Sequence, residues 1–167
     1  MGSVALKLPD DPDLMQAAGG VALAHSQLEL MLRMTIKTLA GLTVREALDA
    51  TETSKNWELR KSITSLFNSK TKDPALRLKL QAILGKCQRL SEQRNRLLHN
   101  AWAITNDGSL VTKGPDHAWG PAVTADELAK LASEIVDMVA DLNHERLKGF
   151  IQQICKASKD DAATADS

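Results

Sequence analysis

The chain has 167 residues, enough for one domain with its own core, and its 43% hydrophobic and 25% charged residues are typical of a globular protein. Its 21 basic and 21 acidic residues argue against a strong nonspecific nucleic-acid binder, which depends on many phosphate contacts. Because no apolar run is long enough to span a bilayer, no signal peptide precedes the first helix and only two cysteines occur, we expect a cytoplasmic protein without a membrane segment.

The first predicted helix runs from about Asp13 to Ala40. Asp11 is its expected N-cap, Pro12 lies in its first turn, and Gly41 is the expected stop. A broad apolar stripe along this helix predicts that one face is buried. Its members are Leu14, Ala17, Val21, Ala24, Leu28, Met31, Leu32 and Leu39.

Two further helices follow. Thr43 and Glu46 have the spacing of a capping box and predict a short helix that ends near Ala50. A longer helix is expected after a cap at Thr53 or Ser54. Its apolar residues are Trp57, Ile63, Leu66 and Phe67.

Asp73 and Pro74 are the expected cap and first turn of the next long helix. Beyond it, residues 102–105 and 109–112 flank the turn 106–108, which predicts a short β-hairpin. A capping box at Thr124 and Glu127 then opens a last helix, expected to continue to about Ile154. The predicted fold is all-α: an up-down bundle of four main helices with a short extra helix and a β-hairpin insert before the last helix. Residues 1–157 form one predicted domain, and 158–167 an acidic, disordered tail.

The apolar pattern of the long helix that begins at Pro74 is interrupted near the end of the helix. Its apolar residues alternate steps of four and three, a pattern typical of a packed helix face. They are Leu76, Leu80, Ile83, Cys87 and Leu90. The next position of this pattern is Arg94, where a buried guanidinium needs a partner or a ligand. Asn95 and His99 are four residues apart, so they share a helix face and are expected to form a hydrogen bond.

Charge is unevenly distributed along the chain. Residues 55–96 hold 11 basic and 3 acidic groups, a net charge of +8, whereas the segments on either side are both net acidic. A positive middle third that leads into Arg94 and His99 indicates an anionic ligand.

An arginine, a polar residue and a histidine at the end of a bundle helix resemble the motif of the HEPN superfamily (higher eukaryote and prokaryote nucleotide-binding domains). Arg94, Asn95 and His99 match that motif residue by residue. The resemblance covers most of the chain as architecture and about six residues as motif. One branch of the family has a tyrosine two residues after the histidine; this chain has Ala101 there and no tyrosine.

The resemblance implies a metal-independent endoribonuclease, acting without a cofactor at a composite site in a homodimer. A toxin–antitoxin or defence role, with an antitoxin protein as a further partner, is implied in the same way. In this interpretation His99 is the general acid or base, Arg94 binds the scissile phosphate and Asn95 orients the imidazole. Lys86, Arg89 and Arg96 are then candidate RNA-binding residues, and Glu29 is a candidate partner of Arg94.

Two alternatives remain open from the sequence. A noncatalytic HEPN dimer that binds nucleotide, RNA or a protein partner would carry the same residues. In a purely structural interpretation, Arg94 is half of a buried ion pair with Glu29 or another acid. A phosphotransfer bundle would instead use His25 as an exposed phosphoacceptor, and burial of His25 would exclude this function.

Overall fold

The structure is a computed structural model that describes residues 4–6, 9–98, 101–114 and 118–165, with side chains for 9–98, 101–114 and 118–158. It has the predicted all-α character, with a small sheet formed by one strand before the first helix and three strands before the last two helices. Its helices are α1 (Pro12–Ala40), α2 (Val44–Thr51), α3 (Asn56–Lys70), α4 (Pro74–Leu98), α5 (Ala125–Leu147) and α6 (Phe150–Ala165). Its strands are β1 (Val4–Leu6), β2 (Trp102–Thr105), β3 (Leu110–Lys113) and β4 (Trp119–Pro121).

At the starts of α1, α2, α4 and α5, side chains satisfy the first backbone N–H groups, as the sequence predicted. The Asp11 carboxylate accepts from the N–H of Asp13 and Leu14 at 3.0 and 3.1 Å. Both predicted capping boxes are present, at Thr43–Glu46 and at Thr124–Glu127. The Asp73 carboxylate accepts from the Ala75 N–H at 2.8 Å.

The cap of α3 lies later than predicted. The helix begins at Asn56, and the Glu58 carboxylate accepts the N–H of Lys55 at 2.6 Å. Thr53 and Ser54 are residue types that commonly cap helices. The Glu58 carboxylate, three positions beyond Lys55, nevertheless fixes the start of the helix. Trp57, one of the apolar residues of the predicted helix, is exposed, since this first turn faces solvent.

The chain divides into two compact units, Met1–Ser26 with Arg89–Ile135 and Gln27–Gln88 with Val136–Ser167. The first unit contains the sheet, whose four antiparallel strands are ordered β1-β2-β3-β4. Its core residues are Leu14, Val21, Ala24, Leu90, Ala103, Leu128, Leu131 and Ile135. The predicted hairpin is therefore the centre of a larger sheet. Its outer strands come from two short segments that carry little apolar alternation.

The second unit has an entirely helical core. Its largest fully buried side chains are Leu28, Leu32, Leu39, Leu59, Ile63, Phe67, Leu80, Met138, Leu142 and Ile151. The rings of Phe67 and Phe150 meet edge to face, with centroids 5.6 Å apart and planes at 79°. This aromatic contact joins α3 to α6.

The single last helix expected from the sequence is two helices. α5 ends at Leu147, where the N–H groups of Lys148 and Gly149 both donate to the carbonyl of His144. The Glu145 carboxylate then accepts the N–H of Phe150 at 3.0 Å and caps α6. Because the apolar pattern continues across this junction, periodicity gave no sign of the break. α6 continues to Ala165, where composition had predicted a disordered tail from residue 158; three alanines in this segment favour the helix.

No helix in the described part of the chain is both long and apolar enough to cross a membrane.

Candidate functional site

The last turns of α4 position the Arg94 side chain. Leu90 and Ser91 are buried in the first unit, and Arg94 follows one turn later on the same helix face. The sequence predicted a buried guanidinium at this position, but Arg94 is half-buried. α4 emerges toward solvent here, so the guanidinium is anchored at its base and reachable from outside.

Asn95 holds one end of the Arg94 guanidinium. Arg94 Nη1 donates a hydrogen bond to Asn95 Oδ1 over 3.0 Å. Because arginine offers only donors, this contact fixes the amide with its oxygen toward Arg94, leaving its NH₂ group as the remaining donor. The sequence predicted that Asn95 pairs with His99; the contact that the structure describes is with Arg94.

His99 lies outside the described residues. Its predicted part in the motif, and its expected hydrogen bond with Asn95, therefore stay predictions. A helix that continued to His99 would place it about 140° around the axis from Arg94.

The other candidate residues divide between the two units. Arg89 and Arg96 are exposed in the first unit. Glu29 and Lys86 are half-buried in the second, where Lys86 Nζ lies 4.0 Å from a carboxylate oxygen of Asp141. Such a contact between two partly exposed groups is weak, so it leaves Lys86 able to exchange partners. The predicted pairing of Glu29 with Arg94 stays a prediction.

A cavity of about 460 Å³ surrounds Arg96 in the first unit, between the end of α4 and the first half of α5. One wall carries basic and apolar side chains of α4, and the other carries charged and apolar side chains of α5. The lining residues are Gln93, Arg96, Leu97, Glu127, Lys130, Leu131 and Glu134. A second cavity of about 230 Å³ shares Arg96, Leu97 and Glu127 with it and extends to Thr112 and Pro121 in the sheet.

The α5 wall of this cavity was not predicted from the sequence. Glu127, Lys130 and Glu134 are spaced by three and four residues, which places them on one helix face. That spacing was visible in the sequence, but charged residues at such intervals usually form a solvated surface. Only the packing of α5 beside α4 shows that they face Arg96.

Glu127 already has a structural function. Its carboxylate accepts the N–H of Thr124 at 2.8 Å and the Thr124 hydroxyl at 3.1 Å. Hydrogen bonding from the Thr124 backbone is the main cause that lowers the pKa of Glu127, so this carboxyl stays ionised in neutral solution. Glu134, by contrast, makes no such cap.

His25 belongs to the interior of the first unit rather than to its surface. It is 5% exposed, and its Nε2 atom lies 3.1 Å from the hydroxyl oxygen of Ser91. A phosphoacceptor histidine must be reached by its partner, so this burial excludes the phosphotransfer function. The sequence gave no indication of Ser91 as the partner.

Among the described residues, no group of three or more His, Cys, Asp or Glu side chains is arranged to hold a metal ion. Cys87 and Cys155 are both buried thiols outside any disulfide, and Cys155 donates to the carbonyl of Thr38 at 3.6 Å.

Comparison of the chain with protein-family models, with curated proteins and with solved structures finds no match.

Proposed function

We propose that this protein is a metal-independent endoribonuclease of the HEPN type. The proposal is carried by Arg94, a half-buried guanidinium held by Asn95 at a helix position where the pattern calls for an apolar residue. The contact with Asn95 fixes one end of the guanidinium and so gives its donors a defined orientation. A phosphate is the anion that best fits the two parallel donors of arginine.

The proposed reaction uses the ribose 2′-hydroxyl of RNA as the nucleophile. Its oxygen attacks the neighbouring phosphorus as its proton passes to a base, and the bond from phosphorus to the 5′-oxygen breaks as that oxygen gains a proton. The products are a 2′,3′-cyclic phosphate and a 5′-hydroxyl end. His99 transfers protons, since imidazole titrates near neutral pH, and Arg94 stabilises the charge on the phosphorane oxygens.

The proposed site is shared by two copies of the chain. Arg94 and His99 would point about 140° apart on one continuous helix, so a single copy does not easily direct both at one phosphate. A homodimer in which one copy supplies the arginine and the other the histidine removes this difficulty. A role in a toxin–antitoxin or defence system, with an antitoxin protein controlling the cleavage, belongs to the same proposal.

The test is RNA integrity and growth after the chain is induced in a host without a natural partner. The wild type and the control His144→Ala, which changes an exposed histidine of α5, should fragment RNA and slow growth. His99→Ala should do neither at equal soluble expression. Equal RNA damage by all three proteins would refute the assignment of His99.

A noncatalytic binding module is the second candidate, and one observation favours it. The Arg94 guanidinium is held by a residue of its own helix, so it requires no substrate to satisfy that donor. If wild type and His99→Ala both leave RNA intact, whereas the purified chain still binds RNA or nucleotide, this function replaces the ribonuclease.

A further inference from the structure

The cavity around Arg96 presents opposite charges on facing walls. Arg96 comes from α4, and Glu134 comes from α5. Within the part of the chain that the structure describes, no ion pair joins the two residues. Both groups therefore keep hydrogen-bonding capacity for a ligand that enters between them.

Glu134 is the carboxylate of this cavity with the greater freedom to bind. Glu127 has one oxygen committed to the cap of α5, where it accepts two hydrogen bonds from Thr124. Glu134 is half-buried two turns further along α5 and has no capping function. A ligand with two adjacent donors can therefore meet both of its oxygens.

We propose that this cavity is a subsite for a guanine base, an inference that rests on the proposed ribonuclease and names the base next to its cleavage site. An arginine fork requires two adjacent acceptors, and a carboxylate requires two adjacent donors. Guanine alone among the four RNA bases has both, with O6 and N7 as acceptors and N1–H and N2–H₂ as donors. Arg96 binds the first pair and Glu134 the second.

The remaining walls suit the rest of a nucleotide. Leu97 and Leu131 give the cavity apolar surface against which a flat ring can pack, and the exposed Lys130 provides a cation for a phosphate. The adjoining cavity, which shares Arg96 and Leu97 and reaches Thr112, offers space for the next nucleotide of a strand. These features favour a guanosine within RNA, although a free guanine nucleotide presents the same base.

The test measures nucleotide binding by calorimetry, with His99→Ala as the protein so that no probe is cleaved. Guanosine monophosphate should bind more tightly than adenosine, cytidine or uridine monophosphate. Arg96→Gln and Glu134→Gln, each added to His99→Ala, should weaken guanosine monophosphate roughly 5- to 100-fold and abolish the preference. Asp137→Asn, which removes an exposed carboxylate from α5 outside the cavity, should change nothing.

Two modified nucleotides assign the contacts. Inosine monophosphate lacks the N2 amine, so it should bind weakly to the parent protein and lose little more with Glu134→Gln. The 7-deaza analogue of guanosine monophosphate lacks the N7 acceptor. It should therefore bind weakly to the parent protein and lose little further affinity with Arg96→Gln. Circular dichroism of each variant checks that it is folded, so that a loss of binding is not a loss of structure.

Equal binding of all four bases, or no binding of any, would overturn the guanine subsite. A short oligoribonucleotide with one guanosine, compared with its all-adenosine equivalent, distinguishes RNA from free nucleotide as the source of the base. Cleavage by the wild type without a guanine preference would leave the ribonuclease standing and the subsite refuted. Guanine-selective binding by a wild type that cleaves no RNA would support the subsite and refute the ribonuclease.

Discussion

His25 on α1 and Ser91 on α4 form a buried hydrogen-bonded pair in the first unit, with Nε2 and Oγ 3.1 Å apart. They are separated by 66 residues in the sequence, so the contact ties together two helices that no local pattern connects. Ser91 lies one turn before Arg94 on α4, so its contact with His25 holds the part of the helix that directly precedes the candidate site. Polar groups this deeply buried are costly when they lose a partner.

Ser91→Ala should lower the free energy of unfolding by about 1 to 3 kcal/mol, because it removes the hydroxyl that contacts the buried Nε2 atom of His25. Urea unfolding measures this change. Ser26→Ala is the matched control, because Ser26 is exposed and its hydroxyl donates only to the carbonyl of Ala22 in its own helix. Equal effects of the two substitutions would show that the His25–Ser91 contact adds no stability.

Gly149 is required at the junction of α5 and α6 for a steric reason. A methyl group at this position would lie 2.8 Å from the Cα atom of Glu145, closer than two carbon atoms pack. Gly149→Ala should therefore displace the backbone that ends α5, and we expect a loss of about 1 to 3 kcal/mol in urea unfolding. A variant as stable as the wild type would mean that the junction relaxes without cost.

Gly19→Ala should have the opposite effect and raise the free energy of unfolding. Gly19 lies inside α1, and a methyl group there meets no atom within 4 Å. Alanine loses less conformational entropy than glycine when a helix forms, so the variant should gain about 0.5 to 1 kcal/mol. The same urea experiment measures it. Destabilisation by Gly19→Ala would show that this turn of α1 needs the flexibility of glycine.

The free energy of unfolding should fall in alkaline solution because of the buried Cys87 thiol. Burial is the main cause that raises its pKa from 9.0 to about 11, while the nearby Arg60 opposes this change. Between these two values the unfolded chain releases the thiol proton and the folded chain keeps it. The contribution is complete below pH 9.0 and is lost as the pH rises toward 11, by about 2 to 3 kcal/mol in all.

Urea unfolding of wild type and Cys87→Ala at several alkaline pH values isolates this contribution. The substitution removes the thiol but leaves every lysine that also titrates there. The difference in stability between the two proteins should shrink as the pH rises. A difference that stays constant from pH 8 to 10.5 would mean that Cys87 does not retain its proton in the fold.

Interactions between residues close together in the sequence predicted the helices of this protein well. Interactions between distant segments left no recognisable pattern in the sequence. The capping boxes at Thr43 and Thr124 each depend on residues three apart, so the sequence contains the whole interaction. The outer strands β1 and β4 depend on pairing with distant or weakly patterned segments, and the sequence gave no sign of them. The break at Gly149 was hidden because the apolar pattern continues across it, with Leu142 and Leu147 before the glycine and Phe150 and Ile151 after it.

For the candidate site, the structure bears only on where side chains lie, and the roles that the sequence assigned to them stay predictions. The interrupted apolar pattern of α4 identified Arg94, and the half-buried guanidinium agrees with that interpretation in part. Helical spacing suggested that Asn95 serves His99, whereas the described contact joins Asn95 to its neighbour Arg94. Such a contact depends on side-chain rotamers rather than on periodicity, so no pattern of residues indicated it.

Arg94→Lys tests whether the site needs an arginine fork or only a positive charge. Lysine keeps the charge but presents a single ammonium group, which cannot give two parallel hydrogen bonds to a phosphate or remain fixed by Asn95 in the same geometry. If the proposed ribonuclease is correct, kcat should fall by roughly 10²- to 10³-fold, as when one oriented donor is lost from a transition state. KM should change much less, because the charge that attracts RNA remains.

Steady-state cleavage of a fluorescent oligoribonucleotide measures both constants. Arg45→Lys is the matched control, since Arg45 is exposed on α2 and contacts Asp49 four residues away at 3.8 Å. It should cleave as fast as the wild type. An unchanged kcat in Arg94→Lys would mean that Arg94 supplies only charge. The fixed contact with Asn95 would then serve the stability of the α4 end rather than catalysis.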